Sequence, residues 1–194
     1  MEMSGLVEAY SFRTFSDIFE ENYFPSVPFH GGYGLLNLHG IPKPTYRAFQ
    51  LLHHLGTELV RVNGSHDTVD VWVARKKGSL TVLHTNHALP RHAIKAEQVR
   101  IKLTDAPKRC SAYVERIDRT HANAKRLWHE AGAPEYLSVA EVERLKDASR
   151  MVKEPQPCEV VIGILYLDIA LPPQSVVAIT VDFVTDQVGG GLQA

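Results

Sequence analysis

Ten histidines give this chain many side chains that can bind a metal ion. Imidazole is a common metal ligand, and His84, His87 and His92 lie within one short stretch. Their spacing matches no known ligand pattern, and His84 and His87 flank the end of a predicted strand, where solvent-facing histidines are ordinary. The sequence therefore predicts no metal site and no cofactor.

The two cysteines, Cys110 and Cys158, are the other candidates for a metal site or a cross-link. They lie far apart in the sequence and neither has a CxxC partner, so the pattern indicates neither a zinc site nor a disulfide framework. We expect two buried or half-buried thiols.

A short acidic run is the third candidate for chemistry. Asp17, Glu20 and Glu21 lie in a loop that mixes acidic and aromatic residues. From the residues alone, Asp17 and Glu20 can form a helix cap or a solvated acidic turn.

Charge and hydropathy exclude two classes of partner. Lys and Arg number 21 against 22 Asp and Glu, for a net charge of -1, without the basic excess that phosphate backbones require. The longest apolar run, residues 160–167, is interrupted by Gly163 and is much shorter than the roughly 20 residues of a membrane span. We therefore expect neither nucleic acid nor membrane as a partner. Because no secretory signal is recognisable at the start, we expect a cytoplasmic location.

One amphipathic helix is predicted near the start of the chain. Pro44 suits a first helical turn, an apolar stripe follows it, and Gly56 can end the helix. Before this helix we expect a short strand over residues 6–15 and a loop over residues 16–29.

The rest of the chain has the period-two pattern of strands. A hairpin is predicted from residues 68–75 and 80–84, and further strands at residues 98–103, 112–117, 159–171 and 175–184. Two helical stretches interrupt the strands, one at residues 122–131 and one that begins with a capping box at Ser138 and Glu141. A β-sandwich with a small helical insertion buries these strands naturally.

The first 56 residues cannot form a domain of their own, because a strand, a loop and one helix cannot bury their apolar faces. They have the order of one βα unit, the repeat of (β/α)-barrels. The predicted division is a βα unit over residues 1–56 and a sandwich over residues 57–188, with the helical insertion at about 121–151. A disordered tail is predicted over residues 189–194.

Three ordered motifs carry a resemblance to a known family. They are YSFRTFSDIFEE at residues 10–21, PFHGGYGLLN at residues 28–37 and GIPKP at residues 40–44. In this order and near this spacing they resemble glycoside hydrolase family 39, which contains β-xylosidases and relatives of α-iduronidase. The helical insertion is similar to the carboxyl-terminal domain of the same family, so the likeness covers most of the chain.

The resemblance implies a mainly β fold in which the sandwich follows the last βα unit of a truncated (β/α)8 barrel. Retaining glycosidases need two carboxyl groups roughly 5–5.5 Å apart. By resemblance these come from the fourth and seventh barrel strands, which have no counterpart here. We therefore expect a carboxyl-terminal fragment of a β-xylosidase-like glycoside hydrolase without a catalytic residue, inactive alone. Whether it is an enzyme in its own right is left open.

The resemblance also implies contacts with substrate. Glu21 looks like a hydrogen-bonding contact to sugar hydroxyls, with Glu20 and Asp17 supporting it. Arg13 departs from the family pattern, which usually has Trp there, so a guanidinium replaces an aromatic face that can stack on a sugar. Arg13 then either pairs with an acidic sugar or is a tolerated change in a non-functional fragment.

Two hypotheses of different class follow. In the first, the chain binds a xyloside or other glycoside together with a separate amino-terminal barrel chain, or self-associates through exposed apolar faces. In the second, the sandwich is a non-catalytic module that binds carbohydrate or protein by itself. A carbohydrate platform needs aromatic residues along one strand face, and the strands offer only scattered ones, namely Trp72, Tyr113, Tyr166 and Phe183.

Overall fold

The computed structural model describes residues 11–18, 26–89, 91–107 and 109–183. The helices in these ranges are α1 (Pro44–His54), α2 (Ala124–Glu130) and α3 (Val139–Ala148). The strands are β1 (Glu58–Val60), β2 (Val69–Lys76), β3 (Ser79–Asn86), β4 (Glu97–Leu103), β5 (Cys110–Ile117), β6 (Glu154–Pro155), β7 (Glu159–Val161), β8 (Ile164–Leu171) and β9 (Ser175–Phe183). None of these helices is long and apolar enough to cross a membrane.

The strands form two antiparallel sheets that pack face to face. One sheet has six strands in the order β1-β2-β3-β9-β5-β6, and the other has three in the order β4-β8-β7. The hairpin predicted from residues 68–84 is confirmed as β2 and β3, which turn at Lys77 and Gly78. The mainly β fold with a sandwich is therefore confirmed.

Alternation along the strands builds the core between the two sheets. β8 buries every second residue from Leu165 to Leu171, and Asp168 between them is exposed. The facing strand β9 supplies Val177, Ile179 and Val181 to the same apolar cluster. Because a slip of one residue would turn all these side chains outward, the alternation fixes the register of the sandwich.

The second face of the six-stranded sheet is covered by α1. Leu51 of the helix packs with Leu83, Ile117 and Ala178, which come from three strands of the sheet. β9 is therefore buried on both faces, between α1 and the smaller sheet. The helix predicted at Pro44 is confirmed.

The two short helices form the predicted insertion between β5 and β6. The capping box is confirmed: the Glu141 N–H donates to the Ser138 hydroxyl at 3.3 Å, and the Ser138 N–H donates to the Glu141 carboxylate at 2.7 Å. Trp128 of α2 is buried, and its indole N–H donates to the carbonyl of Pro134 at 2.9 Å. The insertion is thus a packed unit.

One predicted strand is wrong in extent. Residues 159–171 form a hairpin of β7 and β8, because Ile162 and Gly163 adopt positive φ angles of 50° and 74° and turn the chain back. The apolar run around Ile162 predicts an interior strand residue at this position. Periodicity alone does not reveal that a residue of this type adopts a left-handed conformation.

The role predicted for Gly56 is also different from the one observed. The helix ends at His54, and Gly56 does not adopt a positive φ angle. A Cβ atom at Gly56 would lie 2.1 Å from the carbonyl oxygen of Arg75. Glycine is therefore required here by close approach to β2, and the domain boundary at residue 56 stays a prediction.

Two further predictions fall wholly or partly outside the described residues. Of the strand predicted at residues 6–15, residues 6–10 lie outside them, and residues 11–15 form no regular strand. The tail over residues 189–194, predicted to be disordered, also lies outside them.

His84 is buried, so the prediction that it faces solvent is wrong. It follows Leu80 and Val82 on the inward face of β3, and its side chain is fully buried. Its Nδ1 lies 3.4 Å from the carbonyl oxygen of Val177. Burial lowers the pKa of His84 from 6.5 to about 4, against the smaller opposing effect of the Val177 carbonyl.

We predict that His84 makes the fold sensitive to acid. A pKa near 6.5 in the unfolded chain and about 4 in the folded chain means that the unfolded chain binds the proton more tightly. The stability is therefore fully present above pH 6.5 and is lost as the pH falls towards 4, by roughly 3 kcal/mol for this residue. Urea unfolding between pH 7 and pH 4 measures the loss.

The matched variants are His84→Leu and, at an exposed histidine of the same region, His87→Leu. We expect the first to flatten the dependence of unfolding free energy on pH and the second to leave it unchanged. If the unfolding free energy depended on pH equally in His84→Leu and in the parent chain, the acid sensitivity could not be assigned to His84.

Candidate functional site

Residues 14–17 lie against the loop that precedes α1. The Asp17 N–H donates to the Leu36 carbonyl at 2.9 Å, and the Leu36 N–H donates to the Phe15 carbonyl at 3.0 Å. Ser16 and Leu36 form a parallel bridge. The segment that leads into the acidic run is therefore fixed by backbone hydrogen bonds to the loop before the helix.

The carboxylate of Asp17 is the polar centre of this arrangement. Its side chain is fully buried, and Oδ1 accepts hydrogen bonds from the Gly34 N–H at 2.8 Å and from Lys43 Nζ at 2.6 Å. Lys43 Nζ also donates to the carbonyl of Gly32 at 2.8 Å. A buried ion pair is stable only where such additional hydrogen bonds offset the desolvation of its charges. One carboxylate thus joins three separate segments of the chain.

Two glycines allow the loop to close over Asp17. A Cβ atom at Gly34 would lie 2.2 Å from the backbone carbonyl carbon of Ser16. A Cβ atom at Gly32 would lie 2.7 Å from Asp17 Oδ1 and 2.5 Å from the ring of His30. Gly34 therefore allows close approach to the backbone of Ser16, and Gly32 allows close approach to the carboxylate of Asp17 and the ring of His30.

A histidine adds a second potential charge to the cluster. Asp17 Oδ2 is buried and accepts no hydrogen bond from the described residues, and His30 Nε2 lies 3.8 Å from it. We refer to Asp17, His30 and Lys43 as the Asp17 cluster.

The helical insertion supports the same loop from another side. Phe29 and Ile41 are buried in one apolar cluster with Trp128 and Leu145 of the insertion, and the rings of Phe29 and Trp128 lie 5.5 Å apart. The loop between residues 26 and 41 is therefore held both by the Asp17 cluster and by the packed helices.

The structure describes two of the four residues predicted to bind substrate. Asp17 is buried and Arg13 is exposed, whereas Glu20 and Glu21 lie outside the described residues. Burial rules out a solvated acidic turn for Asp17, so that interpretation is wrong. The support that Asp17 gives to the glutamates, which follow it in the chain, stays a prediction.

Lys43 is the residue of the cluster that sequence reasoning did not identify. It lies far from the acidic run in sequence, and the motif around it predicts only the start of α1. The only available signal was a single basic residue directly before Pro44.

A separate open cleft of about 320 Å³ lies between the end of α1 and the six-stranded sheet. Its carboxylates are Glu115 and Asp182. Asp182 pairs with Ser111 across the sheet, so Glu115 is four residues further along β5, about 13 Å away at 3.3 Å per residue. This backbone separation does not suit the roughly 5–5.5 Å pair of a retaining glycosidase.

Metal chemistry has no visible basis in the part of the chain that the structure describes. No group of three or more His, Cys, Asp or Glu side chains there is arranged to hold a metal ion.

We predict that Asp17→Asn loosens the loop because it leaves the ammonium group of Lys43 poorly compensated. The free energy of opening at the backbone amides of positions 17 and 36 should fall by roughly 2–4 kcal/mol, as expected when one partner of a buried pair is removed. Hydrogen exchange at these two amides measures the change.

The matched control is Asp168→Asn, which removes the carboxylate of the exposed Arg100–Asp168 pair. An exposed pair contributes at most about 1 kcal/mol, so this change should hardly affect exchange. Equal effects of the two substitutions would show that burial does not strengthen the Asp17 contacts.

Comparisons with known proteins identify the family of this chain. Residues 1–162 match the model of Glycosyl hydrolases family 39. The chain is 40% identical over 175 residues to a β-xylosidase of Caldicellulosiruptor saccharolyticus, covering 89% of this chain and 36% of the relative. It is 33% identical over 189 residues to a β-xylosidase of Geobacillus stearothermophilus, covering 96% of this chain and 36% of the relative.

Solved structures give the same result. The crystal structure of a family 39 enzyme from Xanthomonas axonopodis pv. citri matches with a TM-score of 0.79 at 25% identity, over 94% of this chain and 38% of that one. A monomeric β-xylosidase from Caulobacter crescentus CB15 shares the fold, with a TM-score of 0.74 at 24% identity, over 94% of this chain and 39% of that one. The chain spans about a third of the length of these relatives and corresponds to their carboxyl-terminal part. It belongs to glycosyl hydrolase family 39.

Proposed function

We propose that this chain supplies the last βα unit and the accessory β-domain of a β-xylosidase-like glycoside hydrolase, and that it does not hydrolyse glycosides by itself. The curated relatives named above are β-xylosidases, and this chain spans 36% of each. Hydrolysis would then need a barrel that carries the opposed carboxylates.

The observation that carries this proposal is a set of exposed apolar side chains on the segments fixed around Asp17 and on α1. The Asp17 cluster fixes the segment around residue 17, yet large apolar side chains on and near it are exposed. The exposed fractions are 66% for Phe15, 54% for Ile18, 84% for Tyr33 and 40% for Leu52 of α1. Apolar groups held in place and left exposed are typical of an interface, and in a barrel they would meet the neighbouring βα units.

Glu21 is the proposed contact to sugar hydroxyls in such a complex. It follows the anchored residues 14–17 by a few positions in the sequence, and by the family resemblance this part of the chain follows a barrel strand whose end faces the active site. A carboxylate accepts up to four hydrogen bonds and suits the paired hydroxyls of a pyranose ring. Asp17 acts by positioning this stretch, since its side chain is buried and its Oδ1 accepts from Lys43 and Gly34.

Arg13 has two candidate roles. Its exposed side chain can pair with the carboxylate of an acidic sugar, or the residue can be a tolerated replacement for an aromatic contact. Binding of a uronic sugar to the assembled enzyme, measured for the parent chain and for Arg13→Gln, distinguishes them. Only the first role predicts weaker binding by the variant.

The alternative of an independent carbohydrate-binding sandwich has little support. Trp72 packs into the cluster under α1, and Phe183 packs against the core. Lysine ammonium groups lie over the other two rings, at 4.3 Å from the centroid of Tyr113 and 5.9 Å from that of Tyr166. The four scattered aromatics therefore form no open platform for a sugar.

We predict that the purified chain releases no phenol from an aryl β-xyloside above the uncatalysed rate. Co-expression with the amino-terminal part of the Caldicellulosiruptor relative, which this chain does not match, should restore turnover because it supplies the barrel. In that complex Glu21→Gln should lower kcat/KM about 10- to 100-fold, the loss expected for a hydrogen bond to a charged group.

Glu143→Gln, at an exposed glutamate of α3, is the matched control and should leave kcat/KM unchanged. Turnover by the isolated chain, absent from a mock purification, would refute the claim that it is inactive alone. A stable complex without activity would refute the claim that this chain completes the barrel.

A second prediction concerns association. Because its βα unit exposes apolar side chains, the isolated chain should form oligomers whose mean mass rises with concentration in light scattering. Phe15→Ser combined with Ile18→Ser should shift the distribution towards monomer. Ile162→Ser, at a 96% exposed residue of the β7–β8 turn, should not. A monodisperse monomer at all concentrations would contradict this prediction.

A further inference from the structure

Cys110 and Cys158 are neighbours in space although they are 48 positions apart in the sequence. Their sulfur atoms lie 3.8 Å apart, and the Cys158 thiol lies 3.9 Å from the carbonyl oxygen of Cys110. Both side chains are half-buried, as predicted, and both pack against the apolar cluster between the sheets. Their sequence separation gave no hint of this contact.

The two cysteines belong to different layers of the sandwich. Cys110 is the first residue of β5, in the six-stranded sheet. Cys158 lies in the short segment that leads from β6 to β7, where the chain crosses to the three-stranded sheet. A bond between the sulfurs would tie one sheet to the other.

We propose that Cys110 and Cys158 form a redox modification site, at which a low-molecular-weight disulfide such as oxidised glutathione converts the two thiols into an intramolecular disulfide. A disulfide requires its sulfurs about 2.05 Å apart, so they must approach by roughly 1.8 Å. Cys158 lies between β6 and β7 rather than within a ladder, so no ladder hydrogen bond of its own holds its backbone against such a movement.

The exchange is balanced in atoms and electrons. The thiolate of one cysteine attacks a sulfur of oxidised glutathione, which breaks that S–S bond, forms a mixed disulfide and releases one glutathione thiolate. The second cysteine then loses its proton and attacks the protein sulfur of the mixed disulfide, forming the Cys110–Cys158 bond and releasing the second glutathione. The two protein sulfurs are oxidised, the reagent is reduced to two thiols, and the two protons pass to the released thiolates.

The local environment makes this exchange slow at neutral pH. Burial, with a smaller contribution from the neighbouring Cys158 thiol, raises the pKa of Cys110 to about 11. Only the thiolate is reactive, so the step in which Cys110 attacks should accelerate about tenfold for each pH unit between pH 7 and pH 10.

The bond would act mainly on the helical insertion. The segment between the two cysteines contains α2 and α3, whose side chains hold the loop of residues 26–41. Closing this segment into a covalent loop restricts the unfolded chain and thereby favours the folded one. We expect the oxidised chain to unfold at a Tm about 5–15 °C higher than the reduced chain.

The test uses the purified full chain equilibrated with oxidised and reduced glutathione at pH 8.5. The expected product has lost the mass of two hydrogen atoms, has no titratable thiol and yields one linked peptide containing both cysteines. Its Tm should rise by the stated amount and return after reduction. The Cys110→Ser and Cys158→Ser variants should show neither the link nor the rise.

Several results would overturn the proposal. They are two free thiols at equilibrium while the denatured chain oxidises, arrest at the mixed disulfide with glutathione, links between molecules instead of within one, or an intramolecular link without a rise in Tm. Because mass and thiol content are read on the parent chain, a variant that fails to fold leaves the test intact. The outcome is independent of glycosidase activity.

Discussion

The buried carboxylate of Asp17 determines how residues 14–17 are arranged against the loop before α1. Removing that charge from water is unfavourable, and the cost is offset because one oxygen accepts from both Lys43 and the Gly34 amide. Lys43 directly precedes α1, and Leu51 of α1 is buried against the large sheet. A continuous line of contacts therefore connects the residues before the acidic run to the sandwich core.

The helical insertion also holds the loop before α1 in place. Phe29 and Ile41 have no apolar core of their own, and they are buried because Trp128 and Leu145 cover them. Arg47 of α1 adds a polar link, donating to the Ser149 carbonyl at 2.7 Å. The sandwich thus holds α1 through its sheet, and the insertion holds both the loop before α1 and α1 itself, which agrees with the proposal that the sandwich serves a barrel.

Sequence reasoning succeeded where structure is determined by near neighbours. The start of α1 at Pro44, the capping box at Ser138 and the β2–β3 hairpin all depend on residues a few positions apart, and all are confirmed. The family was also correctly identified, because its motifs are continuous stretches of sequence.

The errors concern residues whose environment is set by distant parts of the chain. His84 follows the inward period of β3, but its polarity suggested solvent, and only the packing of the folded chain shows that it is covered. The buried state of Asp17 depends on Lys43, and the adjacency of the two cysteines depends on how the sheets stack. The spacing of neighbouring residues in the sequence predicts none of these contacts.

Several of these contacts join residues that are far apart in the sequence, and this affects how the chain folds during translation. Ser26 bonds to Glu135, 109 positions later, and Arg47 bonds to Ser149, 102 positions later. During translation the loop and α1 must therefore wait for the insertion to leave the ribosome, while their apolar side chains remain uncovered. High contact order of this kind slows folding, and it opens a period in which chaperones and nascent neighbours compete for the same surface.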